Sequence, residues 1–290
     1  ATGDWHTVGN WSGCGGILPQ AADAVVIPTS AVITLSGNAT VTSITLNDPT
    51  GGSNGITLSG NTLTVSGATT YAGTAGANNS TIAVGTGTFS TGTLAITDGA
   101  GTGNMVLNVS TGTITVTGDV SGTWTEAADV QFTSTGDSDM NFGGHFPSGG
   151  TLDGAGGTIT FNGTTQNIGA YTTYNNLTIS ASGTKTLLGT TTVGGILTIS
   201  AGTLATNTQT FTVTGASNIT GTITFGTGTK TFTGNVTLNS GAVWNETGAA
   251  VVPFAGNLTN NATNFTASTG LHSMTGATKV MSGSTATVTP

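Results

Sequence analysis

Short runs in which apolar residues alternate with Thr or Ser recur from one end of the chain to the other, and Gly or Asn breaks each run. They include AVITLSG (31–37), TLTVSG (62–67), TIAVG (81–85), TITVTGDV (113–120), TITFNG (158–163), NLTIS (176–180), ILTIS (196–200), FTVTG (211–215), TITFG (222–226) and NVTLN (235–239). Alternation with period two puts every second side chain on one face of an extended strand. Thr suits such strands because its β-branched side chain packs well on a pleated surface. Gly and Asn suit the breaks because they accept positive φ at little cost. No stretch of helical period competes, and the strong helix formers Glu, Lys, Arg and Gln are scarce. The pattern predicts an all-β chain.

Composition narrows the class further. Of 290 residues, 67 are Thr and 48 are Gly, while charged residues make up 5%. Arg is absent, the basic residues are Lys185, Lys230 and Lys279, and the formal net charge is −8. A nucleic-acid partner is excluded, because displacing counterions from phosphates needs a cationic patch. Disorder fits poorly, since disordered chains are depleted in the β-branched residues that dominate here. No apolar run approaches the roughly 18 residues of a membrane span. The opening ATGDW reads as a mature end left by cleavage after a small residue. Secretion, and an extracellular or cell-surface location, is the expectation. Cys14 is the only cysteine, so no intramolecular disulfide supports the fold, and burial is the favoured reading for it.

The second half also carries a spacing. Leu177, Leu197, Ile219, Val236 and Leu258 follow one another at about 17–22 residues, a period characteristic of solenoids. Asn176, Asn218, Asn235 and Asn257 precede four of these anchors, and such residues would stack into a ladder of side-chain amides along the axis. TFNGTTQNIG (160–169) is echoed by SMTGATKVMSG (273–283), as expected when coils duplicate.

Two groups of residues resemble a known family. The stretches GTITFNGTTQNIGAYTTYNNLTIS and ILTISAGTL resemble the repeats of bacterial secreted β-solenoid surface proteins of the adhesin and autotransporter-passenger type. The opening, with Trp5, Trp11, Pro19, Asp23 and the strand around Val25 to Ile27, resembles the segment that begins the first coil in such proteins. The resemblance implies a parallel β-helix (β-solenoid) and a secreted, surface-exposed setting. At about 20 residues per coil and about 4.8 Å between strands, some fourteen coils would stack to roughly 65–70 Å. Residues 1–30 read as an N-terminal cap or docking segment and 31–118 as a first solenoid segment. Residues 119–153 read as an irregular acidic coil or boundary, and 154–290 as a second solenoid segment.

The acidic stretch holds Asp119, Glu126, Asp129, Asp137, Asp139 and Asp153, with His145 nearby. Asp137 and Asp139 lie alternate residues apart. As paired carboxylates they would suit glycoside hydrolysis, and as clustered oxygen ligands they would suit calcium. The favoured reading is turn-forming Asp on a solvated edge. The missing Arg and the distant Lys residues argue against a polysaccharide lyase, so the chain is not read as an enzyme. No cofactor is expected beyond that calcium alternative. His6, His145 and His272 show no metal-ligand spacing, and Trp5 and Trp11 read as caps on a hydrophobic column.

A solenoid presents unpaired strand edges at its ends. The repeat that restarts near residue 270 stops part-way at TATVTP, which suggests a last coil completed by a neighbouring subunit. The function expected is therefore a structural subunit of an extracellular filament or surface assembly, a head-to-tail homopolymer formed by strand addition. Its contacts would involve Trp5 and Trp11 at one end and Thr287, Val288 and Thr289 at the other. The alternative is a non-polymerising adhesin or carbohydrate-binding β-helix acting on glycans or cell surfaces. Ice binding through flat Thr arrays is a third class.

Overall fold

The computed structural model of the chain describes residues 2–47, 51–73, 78–97, 103–123, 130–171 and 173–284. The fold is an all-β parallel solenoid with about 22 residues per turn. It has about 11 turns, fewer than fourteen because many coils are longer than the anchor spacing of the second half suggested. Among the described residues, apart from a three-residue 3-10 turn at Val8–Asn10, the regular elements are strands. Alternation becomes burial directly: in Ser43–Asn47, Ile44 and Leu46 point inward while the residues between them are half-exposed. Thr113–Val116 behaves in the same way.

The chain divides into two compact units, one comprising Ala1–His145 with Gly149–Gly157 and the other Phe146–Ser148 with Thr158–Pro290. In the first unit, seven parallel strands form one sheet: Thr2–Asp4, Val32–Thr34, Asn54–Thr57, Ser80–Gly85, Met105–Val109, Val130–Ser134 and Thr151–Asp153. The facing strands include two unusually long ones, Thr62–Ala72 and Thr88–Thr97. Thr62, Thr88, Thr113 and Asp139 are successive partners, so these coils are longer than the average turn of the molecule. The front half of Thr62–Ala72 pairs with Ala39–Val41 and its rear half with Ser43–Asn47. Between the halves the register shifts, between Val65 and Ala68. Gly67 sits at that bend. A Cβ on Gly67 would lie 2.8 Å from the Thr42 carbonyl oxygen, and one on Gly92 in the next coil 2.5 Å from that of Gly67. Only glycine lets the backbones stack this closely.

The second unit folds each coil into three short strands, which stack into three parallel sheets. One sheet runs from Thr158–Phe161 through Asn176–Ile179, Leu197–Ile199, Ser217–Ile219, Val236–Leu238 and Leu258–Asn260 to Met281–Ser282. The other two hold six strands each, ending at Asn264–Thr266 and His272–Met274. The partners Leu177, Leu197, Ser217, Val236 and Leu258 show that the coil anchor near residue 218 is Ser217 rather than Ile219. Ile219 lies two residues on, where the same face is also buried. A shift of two therefore leaves the alternation unchanged and is invisible to it. The core of this unit is aromatic. Trp244 stacks on Phe265 at 5.4 Å and 11°, Phe232 stacks on Phe254 at 5.6 Å and 16°, and Phe225 meets Trp244 edge-on at 4.6 Å.

Candidate functional site

Parallel stacking satisfies backbone groups within a sheet, but the corners leave donors that need other partners. Asn and Asp side chains supply them. In the first unit, Asn38 Oδ1 accepts the Thr62 N–H at 2.9 Å, Asn79 Oδ1 that of Asn104 at 3.0 Å, and Asp119 Oδ1 that of His145 at 2.7 Å. In the second, Asn176 Oδ1 accepts from Ile196 at 2.8 Å, Asn235 from Asn257 at 3.0 Å, and Asn257 from Val280 at 3.2 Å. Asn261 accepts from Ser284 at 3.0 Å. The bonds run from side chain to the next coil's backbone, not from amide to amide. Of the four residues expected in a ladder, Asn176, Asn235 and Asn257 share this role. Asn218 instead lies mid-strand between Thr198 and Thr237.

Among the acids of residues 119–153, Asp153 does similar work to Asp119. Asp153 Oδ1 accepts the Ala155 N–H at 2.8 Å. Asp137 and Asp139 are both exposed and flank the buried Ser138. Among the described residues, no group of three or more His, Cys, Asp or Glu side chains is placed to hold one metal ion. Glu126 and Asp129 lie outside the described residues.

Two lysines play a part that sequence reasoning missed. Lys185 and Lys230 are wholly buried. Lys185 Nζ donates to the Ala181 and Ser182 carbonyl oxygens at 3.0 and 2.9 Å. Lys230 Nζ donates to the carbonyls of Thr227, at 2.8 Å, and Gln209. Desolvation lowers both ammonium groups, Lys230 to about 8. Each side chain starts on a strand and curls back to close the turn before it. The one available signal was the shared T-K-T, which sets each lysine at an alternating position inside a strand.

The end of the second unit is built on a buried carboxylate. Glu246 accepts the Trp244 indole N–H at 2.7 Å, the Ser268 N–H at 3.0 Å and the Ser268 hydroxyl at 2.9 Å. His272 Nε2 meets both carboxylate oxygens, at 2.8 and 3.0 Å, and its Nδ1 faces the Gly270 carbonyl at 2.9 Å. Both ring nitrogens thus face oxygen atoms. The contact between His272 and Glu246 joins the strands Val243–Glu246 and His272–Met274.

Beyond it, the strands Asn264–Thr266, His272–Met274 and Met281–Ser282 each pair on one side only, among the described residues. Leu271 and Met281 are 66% and 55% exposed, and Met274 and Val280 are exposed too. They adjoin a depression of about 430 Å³ lined by Phe254, Leu258, Phe265, Ala267, Met274 and Met281. Thr287, Val288 and Thr289 lie outside the described residues.

At the start of the first unit, Thr2–Asp4 pairs only with Val32–Thr34, and Ala24–Ile27 only with Ser43–Asn47, among the described residues. Trp5 is 1% exposed. The partly exposed Trp11 packs edge-on against it at 4.8 Å and donates its indole N–H to the Trp5 carbonyl at 2.6 Å. Cys14 is a partly exposed free thiol beside Trp11 in a cleft of about 440 Å³. Against known proteins, the chain matches no family model, no curated protein and no solved structure.

Proposed function

We propose that the chain is a structural subunit of an extracellular filament or surface assembly, joined head to tail through solenoid ends by strand addition. The reading rests on one observation. The last described rung of the second unit combines strand edges paired on one side only with an apolar surface around Leu271, Met274, Val280 and Met281. Unpaired edges offer backbone hydrogen bonds to another strand, and the apolar surface adds hydrophobic gain when covered. A heterologous contact of this kind propagates in one dimension because its two faces differ.

Charge is compatible with such a contact. Lys279 lies on an exposed part of the last rung, and the opening coil carries Asp4 and Asp23. The neutral, hydroxyl-rich outer faces suit side-by-side packing of filaments. In this reading the chain performs no catalysis, takes no cofactor and works as a secreted surface protein.

Electron microscopy of the purified full chain at rising concentration tests the proposal. Filaments with a regular axial repeat are expected, and unassociated particles at high concentration would overturn it. A Met281→Glu, Leu271→Glu double variant should shorten or abolish the filaments.

A further inference from the structure

The ladder bonds between coils keep one sense throughout. In the second unit Leu197, Val236 and Leu258, whose side chains point inward, donate their N–H groups forward, to the Ala216, Asn257 and Val280 carbonyls of the following coil. The residues after inward ones bond backward: Ser200, Asn239 and Asn261 donate to Ile179, Ile219 and Leu238 of the preceding coil. The first unit obeys the same rule, with Leu94 donating forward to Asp119 and Thr113 back to Gly87. Successive residues of a strand send their backbone groups to opposite edges, as they send their side chains to opposite faces.

This rule decides what each end leaves open. Met281 pairs with Leu258 and continues its inward column, yet it is exposed. Its N–H and C=O point forward, where no described strand pairs with it. In the opening coil, Val25 and Ile27 are buried while Ala24 and Val26 are exposed. Ala24–Ile27 pairs forward with Ser43–Asn47, which occupies the inward residues. The backbone groups of Ala24 and Val26 therefore face the open edge.

These two edges fit each other in one register. An inward residue donates to the carbonyl before its partner and accepts from the N–H after it, as Leu258, opposite Met281, donates to Val280. Met281 opposite Val25 would donate to Ala24 and accept from Val26, the two residues left open. A slip of one residue turns the outward side chains onto the inner face. A slip of two in one direction demands an N–H from Pro28, which has none. In the other direction it sets the Met281 side chain against the Asp23 carboxylate. The register at Val25 instead places Lys279 opposite Asp23, each at the corner just before its strand. Lys279 is exposed, unlike the buried Lys185 and Lys230. Asp23 spends Oδ2 on the Gln20 N–H at 2.7 Å, which leaves Oδ1 for another donor. At about 4.8 Å between strands the ammonium reaches it. Resting on the head-to-tail reading above, we infer that the last strand of one copy, Met281–Ser282, docks in parallel on Val25 and Val26 of the next, with Lys279 paired to Asp23.

Pelleting and electron cryo-microscopy of the full chain test the inference. A reconstruction of filaments of the unsubstituted chain should show Met281 stacked on Val25 of the next copy, a readout that needs no variant. Asp23→Lys and Lys279→Asp should each raise the lowest concentration at which filaments pellet about threefold or more. The double variant should bring it back, although it too lacks the bond from Gln20 to Asp23. If the unsubstituted chain forms no filaments, the head-to-tail reading itself fails and takes the junction with it. If filaments form but the reconstruction pairs other residues, or the exchange of charges restores nothing, the register alone is overturned.

Discussion

The middle coils of the first unit, which step through the partners Thr62, Thr88, Thr113 and Asp139, are longer than those of the second, which step through Lys185, Leu204, Ile223, Trp244 and Phe265. Both units use the same alternation of apolar residues with Thr. They differ in how a run is interrupted. The first unit keeps runs of ten or eleven residues and bends them at Gly67 and Gly92. The second breaks them into strands of two to five residues separated by full corners. Coil circumference therefore follows from corner chemistry, and the narrower coil brings aromatic rings of successive rungs into stacking contact.

Removing that stack should give the largest effect. Trp244 is wholly buried and touches Phe225, Phe232, Phe254 and Phe265. Trp244→Ala should cost about 3–5 kcal/mol. Hydrogen exchange should show protection lost across residues 158–284 and kept in the first unit. Equal loss in both would dissolve the distinction between them.

The bend of the first unit can be attacked next. In Gly92→Ala the new methyl would lie 2.5 and 2.8 Å from the Gly67 and Ser66 carbonyl oxygens. A loss of about 2–3 kcal/mol is expected, read by urea unfolding and confined to the first unit. Gly9→Ala, where nothing lies within 4 Å, serves as the control and should change little.

A smaller, opposite effect follows from hydroxyls buried without a partner: Ser138 in the first unit, and Ser217 and Tyr174 in the second. Burial also pushes the Tyr174 phenol upward. Ser217→Ala and Tyr174→Phe should each stabilise by about 1 kcal/mol in thermal unfolding, as should Ser138→Ala. A loss on truncation would mean that these hydroxyls have partners after all.

The smallest effect is a slope with pH. Lys230 is lowered to about 8 by desolvation from an ordinary value of 10.5. Between these values the unfolded chain binds more protons, so stability rises as pH rises. Measured from pH 8 to 9, below the range in which the tyrosines of the unfolded chain ionise appreciably, the gain should be under about 1 kcal/mol after solvent screening. Lys230→Met should flatten it.

Alternation made the β class and the buried faces legible, and the period of the second half made the solenoid legible. Register was not, because Ser217 and Ile219 face the same way and pattern alone cannot choose between them. The interior lysines were hidden because a charged residue reads as surface until a turn supplies carbonyls for it. The pairing of Lys279 with Asp23 was hidden for a different reason. It depends on which residues face the open edges, and that follows only once the register of the first and last rungs is known.

Every bond between neighbouring rungs points along the stack, and this has a mechanical consequence. Tension that peels a unit from one end loads a single rung at a time, and each released rung yields its whole contour at once. At roughly 3.3–3.6 Å per extended residue, the second unit should lengthen in steps of about 70 Å and the middle of the first in steps of about 90 Å. A force–extension trace would thus report coil circumference directly, as a staircase with two tread lengths.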